Sequence, residues 1–281
     1  MTNFEQLFKD MAKQKRRRIG ITILRPIPET VESLRVASQY ADLLVVGAEI
    51  KELIGEKWFE NIIEIDEDAA SLILVRLLRD KKVEGIVRGQ VKDSYTLDVF
   101  FKEFGKEPIP SDKKVFTSIM QKGDYSFSVA GASVYQGMTI ESKIYETERL
   151  IKYLKEDLKI EPKIAVMGVL RPSSKRGKYE MLDKVTKDCE DFYNYLVGKG
   201  YVAKQYYMEY ETAVWERNNL IVPSMGVVGN SWMKSLLYLG DWKLLNCFYL
   251  DLGVVYEDGT RNEKDFSYHI IHAVAMCNKK S

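Results

Sequence analysis

The sequence predicts an α/β protein with an open, mainly parallel sheet arranged in two lobes. Short apolar segments typical of buried strands alternate with amphipathic segments typical of helices. A long helical segment at 139–158 interrupts this alternation, which then starts again. The chain has 281 residues, of which 46% are hydrophobic and 30% charged. That length suffices for one large domain or for two lobes with cores of their own.

The first half of the chain repeats a strand and a helix in order after an amphipathic N-terminal helix. The helix that begins near 26 carries proline and acidic residues in its first turn, where such residues favour a helix start. The predicted strands are 18–24, 42–47, 61–65, 83–89, 113–121 and 125–132. The predicted helices are 26–41, 67–82 and 94–105.

The second half continues the same pattern. The predicted strands are 162–170, 218–224 and 246–255, and the predicted helices are 139–158, 179–200, one that begins near 230, and 264–277. We expect one lobe of residues 1–138 plus 256–281 and a second of 139–255, with a cleft between them. Ligands of such folds usually bind where strands end and loops lead into helices.

Composition narrows the classes of function. The 42 Lys and Arg nearly balance the 41 Asp and Glu, so no overall field favours nucleic acid, and the basic run at 13–18 is interpreted as a solvated segment. No signal peptide is visible, and no apolar run approaches the roughly 20 residues that span a bilayer. Three scattered cysteines suit a reducing compartment. We therefore expect a cytoplasmic protein without nucleic-acid or membrane partners.

Familiar cofactor and metal motifs are missing. His269 and His272 lie three apart on a helix without a ligand set around them, so no metal site is predicted. The glycines of 45–50 do not fit Gly-x-Gly-x-x-Gly, and neither a Walker loop nor a Gly-x-Ser-x-Gly motif occurs.

The loop "LRPSSKRGKYE" (170–180) follows a predicted strand and could hold a phosphate group. Hydroxyls, cations and the backbone amides of a helix start together favour anions. The alternative is a solvated basic turn. The candidate ligand residues are Ser173, Ser174, Lys175 and Arg176.

Two later loops carry similar signals. In "IVPSMGVVGN" (221–230), Gly229 lets the backbone approach a ligand, while Asn230 could cap the following helix or donate to a carbonyl oxygen. In "YEDGTRNEKDF" (256–266), Thr260 beside Arg261 is a suitable pair for a phosphoryl or acyl oxyanion, and Asp265 lies at the start of the last helix. A turn followed by an N-cap would explain both loops without a ligand.

Taken in this order, the three loops resemble the phosphate acetyl/butyryl transferase family. The strand and loop at 162–180 match a strand and loop of the family, and the spacing of four elements after 222 matches the family spacing. Thr260–Arg261 stand where the family has Ser-Arg. The strand and helix at 83–105 resemble a Gly-x-Val-x-Gly strand and the helix after it. The four elements are Pro223, Gly229–Asn230, Lys234 and Leu239–Gly240. Within the family the sequence is most similar to the methanogenesis marker protein 4 branch (MtxX), which is described as a methyltransferase of archaeal methanogens.

The resemblance implies a two-lobed fold like that of isocitrate dehydrogenase and phosphotransacetylase, often a homodimer, with coenzyme A or acyl-CoA in the cleft. It implies that Thr260 bonds the sulfur or oxyanion, that Arg261 binds phosphate or the carbonyl, and that Asn230 orients the acyl group. Ser174 and Lys175 would hold polar ligand groups, and Asp265 would stand for the acidic residues of the family. Leu97 and Asp98 replace an arginine of the family, and Arg88 could compensate.

Three functions stay open. The first is a phosphotransacetylase-like transferase of methanogens that binds an acyl-CoA, an acyl phosphate or a similar small anionic substrate between the lobes. The second is a methyltransferase, or a partner of methyltransferase subunits, in methanogenesis. The third is a non-catalytic binding or assembly protein that reuses the fold.

Overall fold

The computed structural model describes residues 3–110 and 113–280. The strands are β1 Arg17–Ile23, β2 Ala41–Gly47, β3 Phe59–Ile63, β4 Gly85–Val87, β5 Phe116–Lys122, β6 Tyr125–Val129, β7 Ile164–Met167, β8 Ala203–Tyr207, β9 Leu220–Val222, β10 Lys243–Tyr249 and β11 Val255–Glu257. The α-helices are α1 Phe4–Ala12, α2 Pro28–Ala37, α3 Glu67–Arg79, α4 Asp93–Glu103, α5 Ile140–Lys152, α6 Glu180–Gly198, α7 Tyr210–Trp215, α8 Gly226–Leu239 and α9 Ser267–Lys279.

The chain divides into two compact units. The first unit comprises Phe4–Pro108 and Leu245–Ser281, and the second is mainly Ile109–Leu244. The lobes expected from the sequence were divided at 138 and 256 instead, so β5 and β6 had been assigned with the N-terminal elements. The lobes and the cleft between them stay a prediction.

The first unit holds a sheet with the strand order β3-β2-β1-β4-β11-β10. All its neighbouring pairs are parallel except β10 and β11, which run antiparallel. Helix α3 packs on β1, β2 and β4, and helix α9 packs on β1, β4 and β11 as well as on α1 and α2. With helices packed on it, β1 is buried over nearly its whole length, which explains why its sequence from Ile19 to Ile23 is mainly apolar.

Helix α9 is buried almost throughout. Every residue from His269 to Cys277 is buried, so α9 is a core helix without a solvent-facing stripe. Two histidines on such a helix must find hydrogen-bond partners inside the protein.

The second unit holds the strand order β5-β6-β9-β7-β8. Strands β5 and β6 are antiparallel, and the remaining neighbours are parallel. Helix α5 begins with a capping box in which Thr139 and Ser142 satisfy each other's backbone amides. Its last turn continues as a π-helical turn over Tyr153–Asp157.

The predicted α/β class with mainly parallel strands is confirmed. One difference concerns the predicted strand 246–255, which is in fact the hairpin β10–β11 with a turn between the strands. Gly253 in this turn has φ +78°, a backbone conformation that favours glycine. Strand β8 and helix α7 had no counterpart in the prediction. Within residues 3–110 and 113–280, no helix combines the length and apolarity needed to cross a bilayer.

Candidate functional site

Arg88 and Asp258 lie side by side at the carboxyl edge of the first unit's sheet. Strands β4 and β11 are parallel neighbours that end at Val87 and Glu257, so the next residue of each emerges at the same edge. The Nε of Arg88 donates a hydrogen bond to Oδ1 of Asp258, and both side chains are buried. Ligands of open α/β sheets bind at edges of this kind.

Each of the three guanidinium nitrogens of Arg88 donates a hydrogen bond within the protein. Its Nη1 donates to the carbonyl oxygen of Val91, and its Nη2 donates to that of Gly259 at 2.7 Å. Only 3% of the residue is exposed. Arg88 therefore fastens the loops after β4 and β11 to each other, and its predicted contact with a ligand stays a prediction.

Arg261 is different, because it carries positive charge at the surface next to this edge. Its side chain is 45% exposed, and its Nη2 lies 3.0 Å from Oε1 of Glu67. Lys92, which directly precedes α4, places its Nζ 4.0 Å from Oε2 of the same carboxylate. Two exposed cations thus share Glu67, and the half-buried Thr260 immediately precedes Arg261.

Asp265 lies at the start of α9. Its Oδ1 accepts hydrogen bonds from the backbone N–H of Ser267 at 2.9 Å and from the Ser267 hydroxyl at 2.5 Å. This carboxylate satisfies an amide of the first helical turn. The geometry accounts for Asp265 without a ligand, and a catalytic role stays a prediction.

Glu257 is a fully buried carboxylate that binds two histidines of α9. Its Oε1 accepts from Nδ1 of His272, its Oε2 lies 3.4 Å from Nδ1 of His269, and Oε2 also accepts from the backbone N–H of Cys247 at 3.0 Å. Burial by itself would raise the pKa of Glu257, but the charges and hydrogen bonds of the two histidines outweigh it and lower the pKa to about 2.

The same pairing acts on His269. Burial would lower its pKa, yet the hydrogen bond to Glu257 and the negative charge of that carboxylate raise it overall. The result is a buried, internally compensated charge pair directly beneath the loop that carries Thr260 and Arg261.

In the second unit, the glycine-rich segment lies inside α8 rather than ahead of it. The helix begins at Gly226, directly after Met225, and no side chain caps it. Gly229 and Asn230 therefore belong to its first two turns. The Nδ2 of Asn230 donates to the carbonyl oxygen of Ala132 at 2.7 Å. The predicted capping role of Asn230 is wrong, and its predicted contact with an acyl group stays a prediction.

Close packing of backbone on backbone explains the glycines of α8. A Cβ on Gly226 would lie 2.1 Å from the carbonyl oxygen of Ser133, and a Cβ on Gly229 would lie 2.7 Å from that of Gly131. Neither position can take a side chain without displacing the loop that follows β6. The glycines are required by packing, whatever else they do.

A buried lysine fastens the loops around the start of α8. The Nζ of Lys143 donates to the carbonyl oxygens of Gly137 at 3.0 Å, Pro223 at 3.2 Å and Ser224 at 2.8 Å. Burial lowers the pKa of this lysine. Burial also raises the pKa of Glu146, one turn along α5, to about 8, against the opposing effect of the Lys143 charge.

The loop at 170–180 is exposed and is occupied by acidic groups of α6. Arg176 pairs with Glu190, with Nη2 at 2.5 Å from Oε1, and the backbone N–H of Gly177 donates to Oδ2 of Asp183 at 2.7 Å. These carboxylates occupy the Arg176 guanidinium and the Gly177 amide, two groups that could otherwise contact a phosphate. Ligand contacts of this loop therefore stay a prediction, as they do for the whole predicted set of Ser173, Ser174, Lys175 and Arg176.

The predicted residues thus fall into two groups, one in each unit. In the first unit, Arg88 and the pair Thr260–Arg261 follow neighbouring strands, and in the second the 173–176 loop follows β7 while Asn230 lies in the helix after β9. Among residues 3–110 and 113–280, no group of three or more His, Cys, Asp and Glu side chains is placed to hold a metal ion.

Sequence reasoning missed the buried polar residues beside these groups, namely Glu257, Lys143 and Glu146. The sequence does contain a pattern that indicates burial of Lys143 and Glu146. They occupy the stripe of α5 that also contains the buried Leu150 and Ile151, at the i, i+3, i+7 and i+8 spacing of a core face.

Comparison with solved structures defines the class of fold. The chain resembles a phosphotransacetylase from Streptococcus pyogenes with a TM-score of 0.63 and 15% identity, covering 98% of this chain and 99% of that one. It resembles a branched-chain phosphotransacylase from Enterococcus faecalis V583 with a TM-score of 0.60 and 16% identity, covering 92% and 99%. The fold is therefore that of the phosphotransacetylases. No family model matches the sequence.

Comparison of sequences leads to more particular relatives. The chain is 27% identical over 270 residues to a protein of Methanosarcina barkeri named "Putative methyltransferase mtx subunit X", covering 94% of this chain and 95% of that protein. A protein of the same name from Methanosarcina mazei is 27% identical over 267 residues, covering 94% and 92%. The resemblance inferred from the sequence motifs, to phosphate acetyl/butyryl transferases and to their MtxX branch, is confirmed.

Proposed function

We propose that this chain is a transferase of the phosphotransacetylase type that binds an acyl-CoA, an acyl phosphate or a similar anionic ligand in a cleft between its lobes. Thr260 and Arg261 make the principal contacts in this proposal, with Asn230 and the 173–176 loop contributing from the other lobe. The protein would work in the cytoplasm of a methanogen, as a homodimer.

The exposure and incomplete pairing of Arg261 carry the proposal. Among the described residues, its guanidinium has an ion-pair partner only at Nη2, which contacts Glu67, and 45% of the side chain is exposed. Nε and Nη1 can therefore donate to a phosphate or carbonyl oxygen in the geometry that arginine favours. Lys92, beside the same carboxylate, adds a second cation that could replace the family arginine missing at Leu97–Asp98.

The test is calorimetric titration of the full chain with coenzyme A, acetyl-CoA and acetyl phosphate. We expect Arg261→Gln to weaken binding by about tenfold or more, because a hydrogen bond to a charged group contributes about 1.5–3 kcal/mol. The control is Arg217→Gln, since Arg217 is 44% exposed and, like Arg261, pairs with a carboxylate, that of Asp124. Absence of binding to the wild-type protein, or equal weakening by both substitutions, would contradict the proposal.

A second candidate is a role as a subunit of a methyltransferase system. The observation that favours it is the name shared by the Methanosarcina relatives, which align over 94% of this chain. The test is copurification with a tagged chain expressed in a methanogen. Recovery of methyltransferase subunits would favour this candidate, and recovery of the tagged chain alone would count against it.

A further inference from the structure

Two buried polar atoms near the Thr260–Arg261 loop have no hydrogen-bond partner among the described residues. They are Nε2 of His269, on a fully buried ring, and Oε2 of Glu263, on a side chain that is partly exposed. Burying a polar atom without a hydrogen-bond partner is unfavourable, so such atoms normally contact a water molecule or another bound group.

Both atoms belong to the same small region. Nδ1 of His269 faces Glu257, which fixes the ring, and Nε2 lies 3.6 Å from the position that a Cβ on Gly259 would occupy. Gly259 has φ +69° and no side chain, so space is left above the ring. Glu263 closes the turn that follows, because its backbone N–H donates to the carbonyl oxygen of Thr260 at 3.0 Å.

The side chains of Glu263 and His269 also interact. Burial raises the pKa of Glu263, and the charge of His269 opposes this effect, while Glu263 in turn helps to raise the pKa of His269. The charged groups that act on the His269 ring are Glu257 and Asp258 from the end of β11 and Glu263 from the loop. The Glu263 carboxylate is also hydrogen-bonded to Thr260, the residue predicted to contact the ligand.

The two atoms have complementary hydrogen-bonding character. With Nδ1 of His269 donating to Glu257, Nε2–H donates when the ring is protonated, and Oε2 of Glu263 accepts when its carboxylate is ionised. A group that contacts both must accept one hydrogen bond and donate another. A hydroxyl, a thiol or a water molecule meets this requirement, whereas a phosphate oxygen would be repelled by Glu263 and a metal ion by the protonated ring.

We propose that His269 and Glu263 form a binding site for the hydroxyl or thiol group of the acyl acceptor, and that a water molecule occupies the site when no acceptor is bound. The identity of the acceptor rests on the proposed function, whereas the site itself does not. Thr260 and Glu263 both retain partial exposure, so the loop extends from the buried ring to the surface.

The first measurement uses the ligand-free full chain labelled with ¹⁵N at histidine. We expect a nuclear Overhauser effect between the His269 ring protons and a bound water, retained in Glu263→Gln and lost in Glu263→Leu, with both variants checked for folding by circular dichroism. Absence of this effect in the wild-type protein, or its persistence in Glu263→Leu, overturns the site.

The second measurement compares coenzyme A with desulfo-coenzyme A, in which hydrogen replaces the thiol. We expect the wild-type protein to bind coenzyme A about tenfold more tightly and Glu263→Leu to bind the two equally. The control, Glu60→Gln on the exposed strand β3, should keep the preference. An unchanged preference in Glu263→Leu overturns the acceptor assignment. If the wild-type protein binds neither compound, the proposed function and the acceptor assignment fail together, and the water measurement alone decides whether the site exists.

Discussion

Replacing Glu257 by glutamine tests the buried charge pair beneath the candidate site. Between the ordinary value of 4.5 and the native value of about 2, the pKa of Glu257 falls by more than two units. At about 1.4 kcal/mol per unit, the ionised carboxylate contributes on the order of 3 kcal/mol at neutral pH. Because the group is completely buried, solvent screening does not reduce this figure. We therefore expect Glu257→Gln to lower the free energy of unfolding by about 3 kcal/mol in urea titrations at pH 7.

A control at an exposed ion pair tests whether the expected loss of stability comes from burial of the pair or from charge pairing in general. Glu60 also lies on a strand and pairs with Arg18, but 65% of its side chain is exposed. Exposed pairs contribute less than about 1 kcal/mol, so Glu60→Gln should be nearly neutral. A loss below about 1 kcal/mol in Glu257→Gln, or an equal loss in both variants, would refute the reasoning.

The pH dependence of stability tests the same charge pair. The direction in which the His269 contribution changes with pH should differ between the wild-type protein and Glu257→Gln. In the wild-type protein, the pKa of His269 is higher in the native state than in the unfolded chain. The native state therefore binds more protons, and His269 contributes stability that is complete below about pH 6.5 and is lost as pH rises through its native pKa. Glu257 contributes stability that is present above about pH 4.5 and is lost as pH falls toward 2.

In Glu257→Gln the balance at His269 reverses. Without the carboxylate, burial dominates and depresses the native pKa of the ring, so the unfolded chain binds more protons. The His269 contribution should then decrease stability as pH falls from 8 to 6, whereas in the wild-type protein it increases stability over that interval. Urea titrations at both pH values measure the difference, and the same slope in both proteins would be a contrary result.

Three further perturbations test the second unit and the thiols. Gly226→Ala should lower the free energy of unfolding by more than about 3 kcal/mol, because its Cβ would lie 2.1 Å from the Ser133 carbonyl oxygen. Gly198→Ala is the control, since a Cβ there would have no atom within 4 Å, and it should be neutral or stabilise the protein by up to about 1 kcal/mol. Equal effects in thermal unfolding would contradict this account of packing. Lys143→Met should lower the free energy of unfolding in urea titrations by about 3 kcal/mol or more, since three buried carbonyl oxygens lose their donor. A loss below about 1 kcal/mol would show that these oxygens find other partners. The thiols of Cys189, Cys247 and Cys277 are buried, so they should react with Ellman's reagent only on unfolding. Rapid reaction of the native protein would be contrary evidence.

The alternation of strands and helices could be predicted because buried parallel strands leave continuous apolar runs. The hairpin β10–β11 could not, since apolar residues on both sides of the turn at Gly253 look like one strand. Asn230 was interpreted as a cap because Gly-Asn before an amphipathic segment is typical of a helix start. The helix actually starts at Gly226, which packs closely against the distant residue Ser133, and local sequence does not encode such contacts.

The candidate site was predictable to a similar extent. Thr260 and Arg261 were predicted as ligand residues because they follow a strand and match the family order, and that role stays a prediction. The roles of Arg88 and of His269 depend on partners about 170 and 12 residues away, whose identity only the fold determines. Lys143 escaped notice because a lysine is usually interpreted as solvent-facing, although its position on α5 coincides with the apolar stripe.

The three carbonyl contacts of Lys143 have a mechanical consequence. One ammonium group connects α5 to the turn at Gly137 and to the segment that joins β9 to α8, so these pieces must move together or break buried hydrogen bonds. The exposed loop at 170–180 has no comparable anchor among the described contacts, since its bonds run within the loop, to the adjacent helix α6 and to Glu209. Any rearrangement of the second unit on binding should therefore be borne by that loop, while the start of α8 acts as a fixed reference against which it moves.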